Sequence, residues 1–230
     1  VLRFVLTYVG AVLLHAAWDG SNNLIVHVLV AVVSVAGLLV VIHRTRRSPG
    51  TQGETIITLA ALAVGGQGGG VLTSWIIALA EANGYHAQST SVAGVAQRTG
   101  ATVYYVEMCR DTGRMPVFAL SPSEGDVDVM IAAELMEAGR AVMRGFVTPG
   151  RTTLIASTHR IAAVSEKVVP GDGRADSDQV IAALGLAADQ VIAFDMETMA
   201  VAAGSVISAS LFGALAGSGA LPFPRESYEE

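Results

Sequence analysis

The sequence predicts an α/β fold in three layers, built on a mostly parallel, Rossmann-like sheet and preceded by an N-terminal hydrophobic helical hairpin. Three observations indicate this arrangement. From residue 55 onward, apolar runs of strand length alternate with segments of helical spacing, which is the pattern of β–α–β units. A glycine-rich loop follows the first apolar run, at the point where such a sheet turns into a helix. Residues 1–47 differ from the rest because they are apolar almost throughout.

The elements of the main domain, which we expect to span 55–230, follow in order from these patterns. The first apolar run is continuous rather than alternating, as in a strand buried on both faces. Strands are predicted at 55–64, 85–92, 102–108, 127–132, 152–157 and 190–194, with a short hairpin partner at 116–120. Helices are predicted at 71–82, 133–144, 177–184, 196–204 and 205–216. The chain begins with Val and stops at the start of a predicted helix, so we expect a piece of a longer product that is truncated at its C-terminus.

The N-terminal segment predicts a membrane hairpin. Leu24–Ile42 is apolar except for one His and one Ser, and a helix of that length spans about 28 Å, close to the roughly 30 Å of a hydrocarbon core. Leu2–Trp18 is a second, weaker apolar run. Arg44, Arg46 and Arg47 follow the longer run, whereas the turn at 19–23 has no Lys or Arg. This distribution favours a hairpin with both ends on the cytoplasmic side. The main domain, after the linker at 48–54, would then also be cytoplasmic. A buried helical pair packed on the main domain is the alternative.

Within that segment, His15 and Asp19 lie four residues apart and so share one helix face. The run from His15 to Asp19 resembles the last motif of PrsW-type intramembrane proteases. The glutamate motifs that such an enzyme needs are absent from the sequence, and one His with one Asp falls short of the usual three protein ligands of a catalytic metal. We interpret the pair as structural, with a protease remnant as the competing hypothesis.

Composition limits the possible functions. Hydrophobic residues make up 52% of the 230 residues and charged residues 15%, and the net charge is −6. No basic stripe that could follow a nucleic-acid backbone is present, so nucleic acid is excluded as a partner. Cys109 is the one cysteine of the sequence, and it cannot supply the several thiolates that an iron–sulfur cluster needs. If the protein takes part in redox chemistry, its metal centres lie on another chain.

The glycine loop is the first candidate binding site. Gly65, Gly66, Gln67 and Gly68 stand between the first predicted strand and the first predicted helix. Glycines there allow a tight turn and a close backbone approach, and the helix N-terminus then favours a diphosphate or another anion. The dinucleotide fingerprint is not matched, since Val71 stands where its third glycine belongs, and the second strand ends without an acidic residue for a ribose. A turn required only for packing is the alternative.

A second polar loop lies about thirty residues later, where Gln97, Arg98 and Thr99 stand between Gly94 and Gly100. A guanidinium has the fork geometry that binds carboxylate or phosphate. A surface loop with a solvated arginine is the alternative. His159 and Arg160 follow a predicted strand and could lie at the ligand edge of the sheet, but we favour a surface loop for them. Asp195 and Glu197 open a predicted helix, where dipole compensation explains them.

The two loops, in this order and spacing, resemble the gamma-type catalytic domain of 2-oxoacid:ferredoxin oxidoreductases, and most closely the beta subunit of indolepyruvate oxidoreductases. That family typically has Gly-x-Gly-Gly-Gln-Gly and, after the next strand, Gly-Met-Ala-Gln-Arg-Gly-Gly. The stretches Gly204–Ile207 and Phe212–Leu215 also look like the family's late helices. This sequence departs from the pattern at a few positions, with Ala63 and Thr99 in place of glycines, and Ala93 and Ser91 where a His and a Glu are common.

The resemblance implies a subunit that is inactive alone. In such complexes a 2-oxo acid is oxidatively decarboxylated to acyl-CoA, with electrons passed to ferredoxin. Thiamine diphosphate, Mg²⁺ and the iron–sulfur clusters would lie on a partner subunit, and coenzyme A (CoA) would bind in a cleft shared with this chain, which itself holds no metal and no catalytic residue. The residues implied to contact the cofactor are Gly65, Gly66, Gln67, Gly68, Gln97, Arg98 and Thr99. A membrane-tethered nucleotide- or CoA-binding module without catalysis of its own is the alternative.

Overall fold

The computed structural model describes residues 55–92, 101–162, 166, 168 and 173–229. The predicted membrane hairpin at 1–47, the linker at 48–54 and the Gln97–Thr99 loop lie outside the described residues, as do His15 and Asp19.

The described part of the chain forms six strands and five α-helices. The strands are β1 (Ile57–Ala63), β2 (Tyr85–Val92), β3 (Thr102–Arg110), β4 (Val129–Ala132), β5 (Thr153–Ser157) and β6 (Gln190–Phe194). The helices are α1 (Gly69–Ala82), α2 (Leu135–Met143), α3 (Ser177–Ala187), α4 (Met196–Ala202) and α5 (Ile207–Ser218), followed by a 3₁₀ turn at Arg225–Tyr228. The predicted strands and helices are therefore confirmed in type, with ends that shift by a few residues.

The segment 116–120 is the exception, because the prediction of a hairpin strand there is wrong. It runs beside the edge strand β2 and is held by side chains rather than by a backbone ladder. Thr90 Oγ1 donates to the carbonyl of Leu120 at 2.7 Å, and Gln88 Nε2 donates to that of Ala119 at 3.5 Å. Pro116 has no N–H to offer to a ladder, which disfavours a strand.

The six strands form one sheet in the order β2-β3-β1-β4-β5-β6. β1, β4, β5 and β6 are parallel neighbours, whereas β3 runs antiparallel to both β1 and β2. The predicted mostly parallel sheet is thus a mixed one, in which five of the described strands share one direction and β3 runs against them. The physical reason is the connection at 93–101, which is too short for the crossover of a dozen or more residues that parallel neighbours need.

Helices cover both faces of the sheet, and alternate residues of each strand supply two separate cores. Leu59 and Ala61 of β1 belong to one core together with the apolar residues of α1 and α5. Ala60 and Leu62 belong to the other, which includes residues of α2 and α3. This confirms the three predicted layers. Since α1 and α5 share a face, their N-terminal ends can meet at the edge of the sheet where β1 ends.

Among the described residues, no single helix is both long and apolar enough to cross a membrane. The helices α4 and α5 meet the length and composition criteria only when they are taken together, with a bend of 113° between them.

Candidate functional site

The glycine loop is a tight turn that carries the chain from β1 into α1. The N–H of Gln67 donates to the carbonyl of Val64 at 3.1 Å and closes the turn. Gly66 has a φ of 93° and Gly68 a φ of 70°, a left-handed region in which a side chain is strained. Two of the predicted glycines are therefore required by the backbone itself.

Gln67 joins the ends of three strands. Its side chain is 8% exposed. Its Oε1 accepts from the N–H of Val64 at 2.8 Å, just after β1, and its Nε2 donates to the carbonyl of Ala133 at 3.3 Å, just after β4. The same Nε2 lies 3.2 Å from Nε2 of His159, which follows β5. The side-chain amide of Gln67 thus fixes the glycine loop to the residues that follow β4 and β5.

The hydrogen bonds also define the tautomer of His159. Because the N–H of Val64 holds Oε1 of Gln67, the amide presents a donor to Nε2 of His159, which must then accept. The proton of the neutral ring lies on Nδ1, which donates to Oγ of Ser157 at 2.8 Å. Ser157 Oγ also accepts from the N–H of Met196 at 3.1 Å. His159 therefore lies in an ordered network at the edge of the sheet rather than in a solvated loop.

A cleft of about 470 Å³ opens beside this network. It is lined by Gly66, Gln67, Gly68, Val71, Trp75, His159, Ile161, Glu197, Ser205, Val206, Ile207 and Ser208. The lining includes the first turns of both α1 and α5. The N-cap positions of these helices, Gly68 and Val206, provide no side-chain cap, and neither first turn contains an acidic residue. Their first N–H groups and positive dipole ends are therefore available to an anion.

A second cavity of about 620 Å³ lies along the outer side of α1 and α5. Its lining is mainly apolar and aromatic. Trp75 packs against Phe212 with ring centroids 5.7 Å apart, and Phe212 packs against Tyr228 at 5.3 Å. Burial raises the pKa of Tyr228 to about 12. Because this cavity lacks the converging polar groups of the first, we take the cleft at the edge of the sheet as the candidate site.

The sequence-predicted residues fall into three groups. Gly66, Gln67 and Gly68 line the cleft, whereas Gly65 stands in the exposed part of the turn and is not part of the lining. The loop that carries Gln97, Arg98 and Thr99 lies outside the described residues. The strands that bracket this loop do reach the edge, since Thr102 is paired with Ala63 and Val92 with Val103.

The sequence reasoning missed Ser157 and Ser208. Ser157 is the last residue of β5 and Ser208 the second residue of α5. A serine at the carboxyl end of a buried strand is a signal that could have been used for the first. The sequence gives a weaker signal for Ser208, because it shows only that this residue lies near the start of a predicted helix, just after Gly204 and Ser205.

Asp195 lies at the start of α4, where the sequence predicts it, and its side chain is the N-cap of that helix. Its carboxylate accepts from the N–H of Thr198 at 2.9 Å and from the hydroxyl of the same residue at 2.7 Å. These bonds lower the pKa of Asp195 below its ordinary value, and the bond from the backbone N–H of Thr198 has the largest effect.

We expect Asp195→Ala to destabilise the protein at neutral pH, and the loss to fade in acid. A carboxylate whose pKa is lowered by folding stabilises fully above the unfolded value of about 3.9, and this stability is lost as the pH falls through the folded value. Urea denaturation from pH 7 to pH 2.5 measures the difference from the natural protein. Asp195→Asn, which keeps a good capping oxygen, is the matched control and should lose less at pH 7. An equal loss of stability for Asp195→Ala at pH 7 and at pH 2.5 would contradict the role of the ionised carboxylate as the cap of α4.

Among the described residues, no three His, Cys, Asp or Glu side chains converge on a space that would hold a metal ion.

Comparison with known proteins identifies a family. Residues 58–230 match the family described as pyruvate ferredoxin/flavodoxin oxidoreductase. No curated protein matches the sequence.

Solved structures also match, at low identity. The gamma subunit of a keto/oxoacid ferredoxin oxidoreductase from Geobacter sulfurreducens is 18% identical with a TM-score of 0.45, over 76% of this chain and 82% of that one. The pyruvate oxidoreductase subunit PORC from Thermotoga maritima is 18% identical with a TM-score of 0.45, over 76% of this chain and 89% of that one. A 2-oxoglutarate:ferredoxin oxidoreductase from Magnetococcus marinus, solved with 2-oxoglutarate, coenzyme A and succinyl-CoA, is 15% identical with a TM-score of 0.46, over 76% of this chain and 26% of that one.

Proposed function

The chain belongs to the pyruvate ferredoxin/flavodoxin oxidoreductase family, and we propose that it is the gamma-type subunit of a 2-oxoacid:ferredoxin oxidoreductase. The observation that carries the proposal is the family match, which runs through all six strands from residue 58 to residue 230. The proposed reaction is the oxidative decarboxylation of a 2-oxo acid to acyl-CoA, with two electrons passed to ferredoxin.

In this proposal the reactive groups are held by a partner subunit. Thiamine diphosphate with Mg²⁺ supplies the chemistry of decarboxylation there, and iron–sulfur clusters carry the electrons. The composition of this chain supports the division, because a sequence with one cysteine cannot ligate a cluster that needs several thiolates.

The proposed role of this chain is to complete the cleft for CoA. The loop from Gly65 to Gly68 and the residues Gln97, Arg98 and Thr99 would contact the cofactor. The cleft fits a ligand with anionic groups, since two helix N-termini without side-chain caps open into it. The Arg98 guanidinium would add a fixed positive charge suited to phosphate or carboxylate.

For the substrate we propose an indolepyruvate-like aromatic 2-oxo acid. The support for this choice is that the sequences of the two loops, at 65–68 and 97–99, resemble those of indolepyruvate oxidoreductases. The hairpin at 2–42 is proposed as a membrane tether for the domain on the cytoplasmic side, which is supported by the length of the apolar run Leu24–Ile42. A panel of indolepyruvate, pyruvate and 2-oxoglutarate offered to the assembled complex tests the substrate.

We expect the full chain to co-purify from native extract with a subunit that carries thiamine diphosphate and iron–sulfur clusters. In the assembled complex, Arg98→Ala should raise the KM for CoA about tenfold with a smaller change in kcat, because one charge-assisted contact is lost. Arg225→Ala removes an arginine that is exposed and paired with Glu229, and it should leave both constants unchanged. A stable monomer without such a partner would refute the proposal, and micromolar binding of NAD would favour the nucleotide-binding module instead.

A further inference from the structure

Ser208 carries a buried hydroxyl that the fold leaves unused. The residue is 1% exposed, and its Oγ has no hydrogen-bond partner within the described part of the chain. Ser208 lines the cleft at the first turn of α5. Its Oγ would lie 3.0 Å from a Cβ built on Gly68, so the glycine keeps the space beside the hydroxyl open.

Hydroxyls elsewhere on the same face of the sheet show what is unusual about Ser208. In α1, Thr73 Oγ1 donates to the carbonyl of Gly69 at 2.8 Å and Ser74 Oγ to that of Gly70 at 3.0 Å. This bond to the carbonyl four residues back is the common solution for a hydroxyl inside a helix. Ser208 stands in a first turn, where residue 204 lies before the helix. Burial without a partner costs stability, and a ligand that accepts from the hydroxyl would recover it.

We propose that the Ser208 hydroxyl, together with the first N–H groups of α1 and α5, binds an anionic oxygen of the ligand in the cleft. This inference deepens the proposed function and rests on it for the choice of ligand. The shared chemistry is a phosphate or carboxylate oxygen, supplied either by the diphosphate of CoA or by the carboxylate of a 2-oxo acid.

Glu197 is the acidic side chain of the cleft lining, and its charge opposes an anion. Removal of this charge by Glu197→Gln should tighten the binding of an anion severalfold, most strongly at low ionic strength.

The test uses the fluorescence of Trp75, which lines the cleft. The sequence has two tryptophans, so the full chain with Trp18→Phe reports on Trp75 alone. This protein is titrated with inorganic pyrophosphate and, separately, with pyruvate. We expect a saturable change with at least one of them, and the probe that saturates more tightly identifies the source of the anion. Ser208→Ala should weaken that binding about tenfold. Ser74→Ala, on the exposed side of α1, is the matched control and should bind as before.

Thermal unfolding without ligand separates a binding role from a structural one. A serine that serves only the fold would lower the Tm when it is replaced. We expect Ser208→Ala to raise it by about 2–4 °C, because an unpartnered buried hydroxyl is removed. The inference is overturned if Ser208→Ala binds as tightly as the natural protein, or if neither probe changes the emission of Trp75. Because these measurements need no partner subunit, their failure is distinct from a failure to find the complex.

Discussion

Gly69→Ala is expected to destabilise the fold by about 2–3 kcal/mol, the cost of overpacking a close contact. A Cβ at Gly69 would lie 2.4 Å from Cε2 of Tyr104 and 2.8 Å from Cβ of Ala63. The tyrosine ring could turn aside, but the alanine methyl is attached directly to β1. The added atom can be accommodated only if α1 moves away from the sheet, which would open the core that both elements share.

The neighbouring glycine provides the control. A Cβ at Gly70 has its nearest neighbour at 3.8 Å, in the same tyrosine ring, which is ordinary contact. Gly70 is exposed and helical, so Gly70→Ala should be neutral or should stabilise the protein by up to about 1 kcal/mol. Urea denaturation of both variants measures the two values. Similar losses for the two would mean that helix α1 does not depend on close approach at Gly69.

The close approach at Gly69 also explains why the cleft forms where it does. Since α1 starts in contact with β1 and β3, its first turn lies against the edge of the sheet rather than beyond it. The N–H groups of that turn are then brought next to the first turn of α5, which packs in the same core. A variant that moves α1 outward is therefore expected to weaken anion binding as well as stability.

The glycine loop shows how much of the site could be predicted from the sequence. Its position after a buried strand and before a helix followed from local pattern, because turns and helix starts depend on neighbouring residues. The contacts of Gln67 could not be predicted in the same way. Its partners Ala133 and His159 come from the ends of β4 and β5, and only the order of strands in the sheet brings these three ends together.

The direction of β3 could not be predicted in the same way as the strand itself. The β-branched and aromatic residues of 102–108 predict a strand, whereas the β–α–β pattern predicts only that the sheet as a whole is mostly parallel. The short connection at 93–101 already excluded a crossover. The length of the connection at 93–101, rather than the residue types of the strand, therefore predicts that β3 runs antiparallel to β2 and that the sheet is mixed.

The second large effect is expected for Gln67→Met, which should destabilise the protein by about 3 kcal/mol. Methionine has a similar length and shape but makes none of the three hydrogen bonds. The N–H of Val64, the carbonyl of Ala133 and Nε2 of His159 would lose their partner together, and each unpaired buried group costs about 1–3 kcal/mol. Gln88→Met, which removes one long bond of 3.5 Å at the edge strand, should cost at most about 0.5 kcal/mol. Equal midpoints in urea for the two variants would show that the amide is dispensable.

Gln67→Glu tests the direction of the hydrogen bonds rather than their number. A carboxylate still accepts from the N–H of Val64 but has no donor for the carbonyl of Ala133 or for Nε2 of His159. The lost contact with the ring can be replaced only if the imidazole is protonated, because Nε2 then donates to the new carboxylate. While the ring stays neutral, Gln67→Glu should therefore lose about as much stability as Gln67→Met, which urea denaturation of the two variants at pH 8 measures. If Gln67→Glu instead matched the natural protein at pH 8, Nε2 of His159 would have to donate to the carboxylate from a neutral ring, and the orientation of the Gln67 amide would be the reverse of that described.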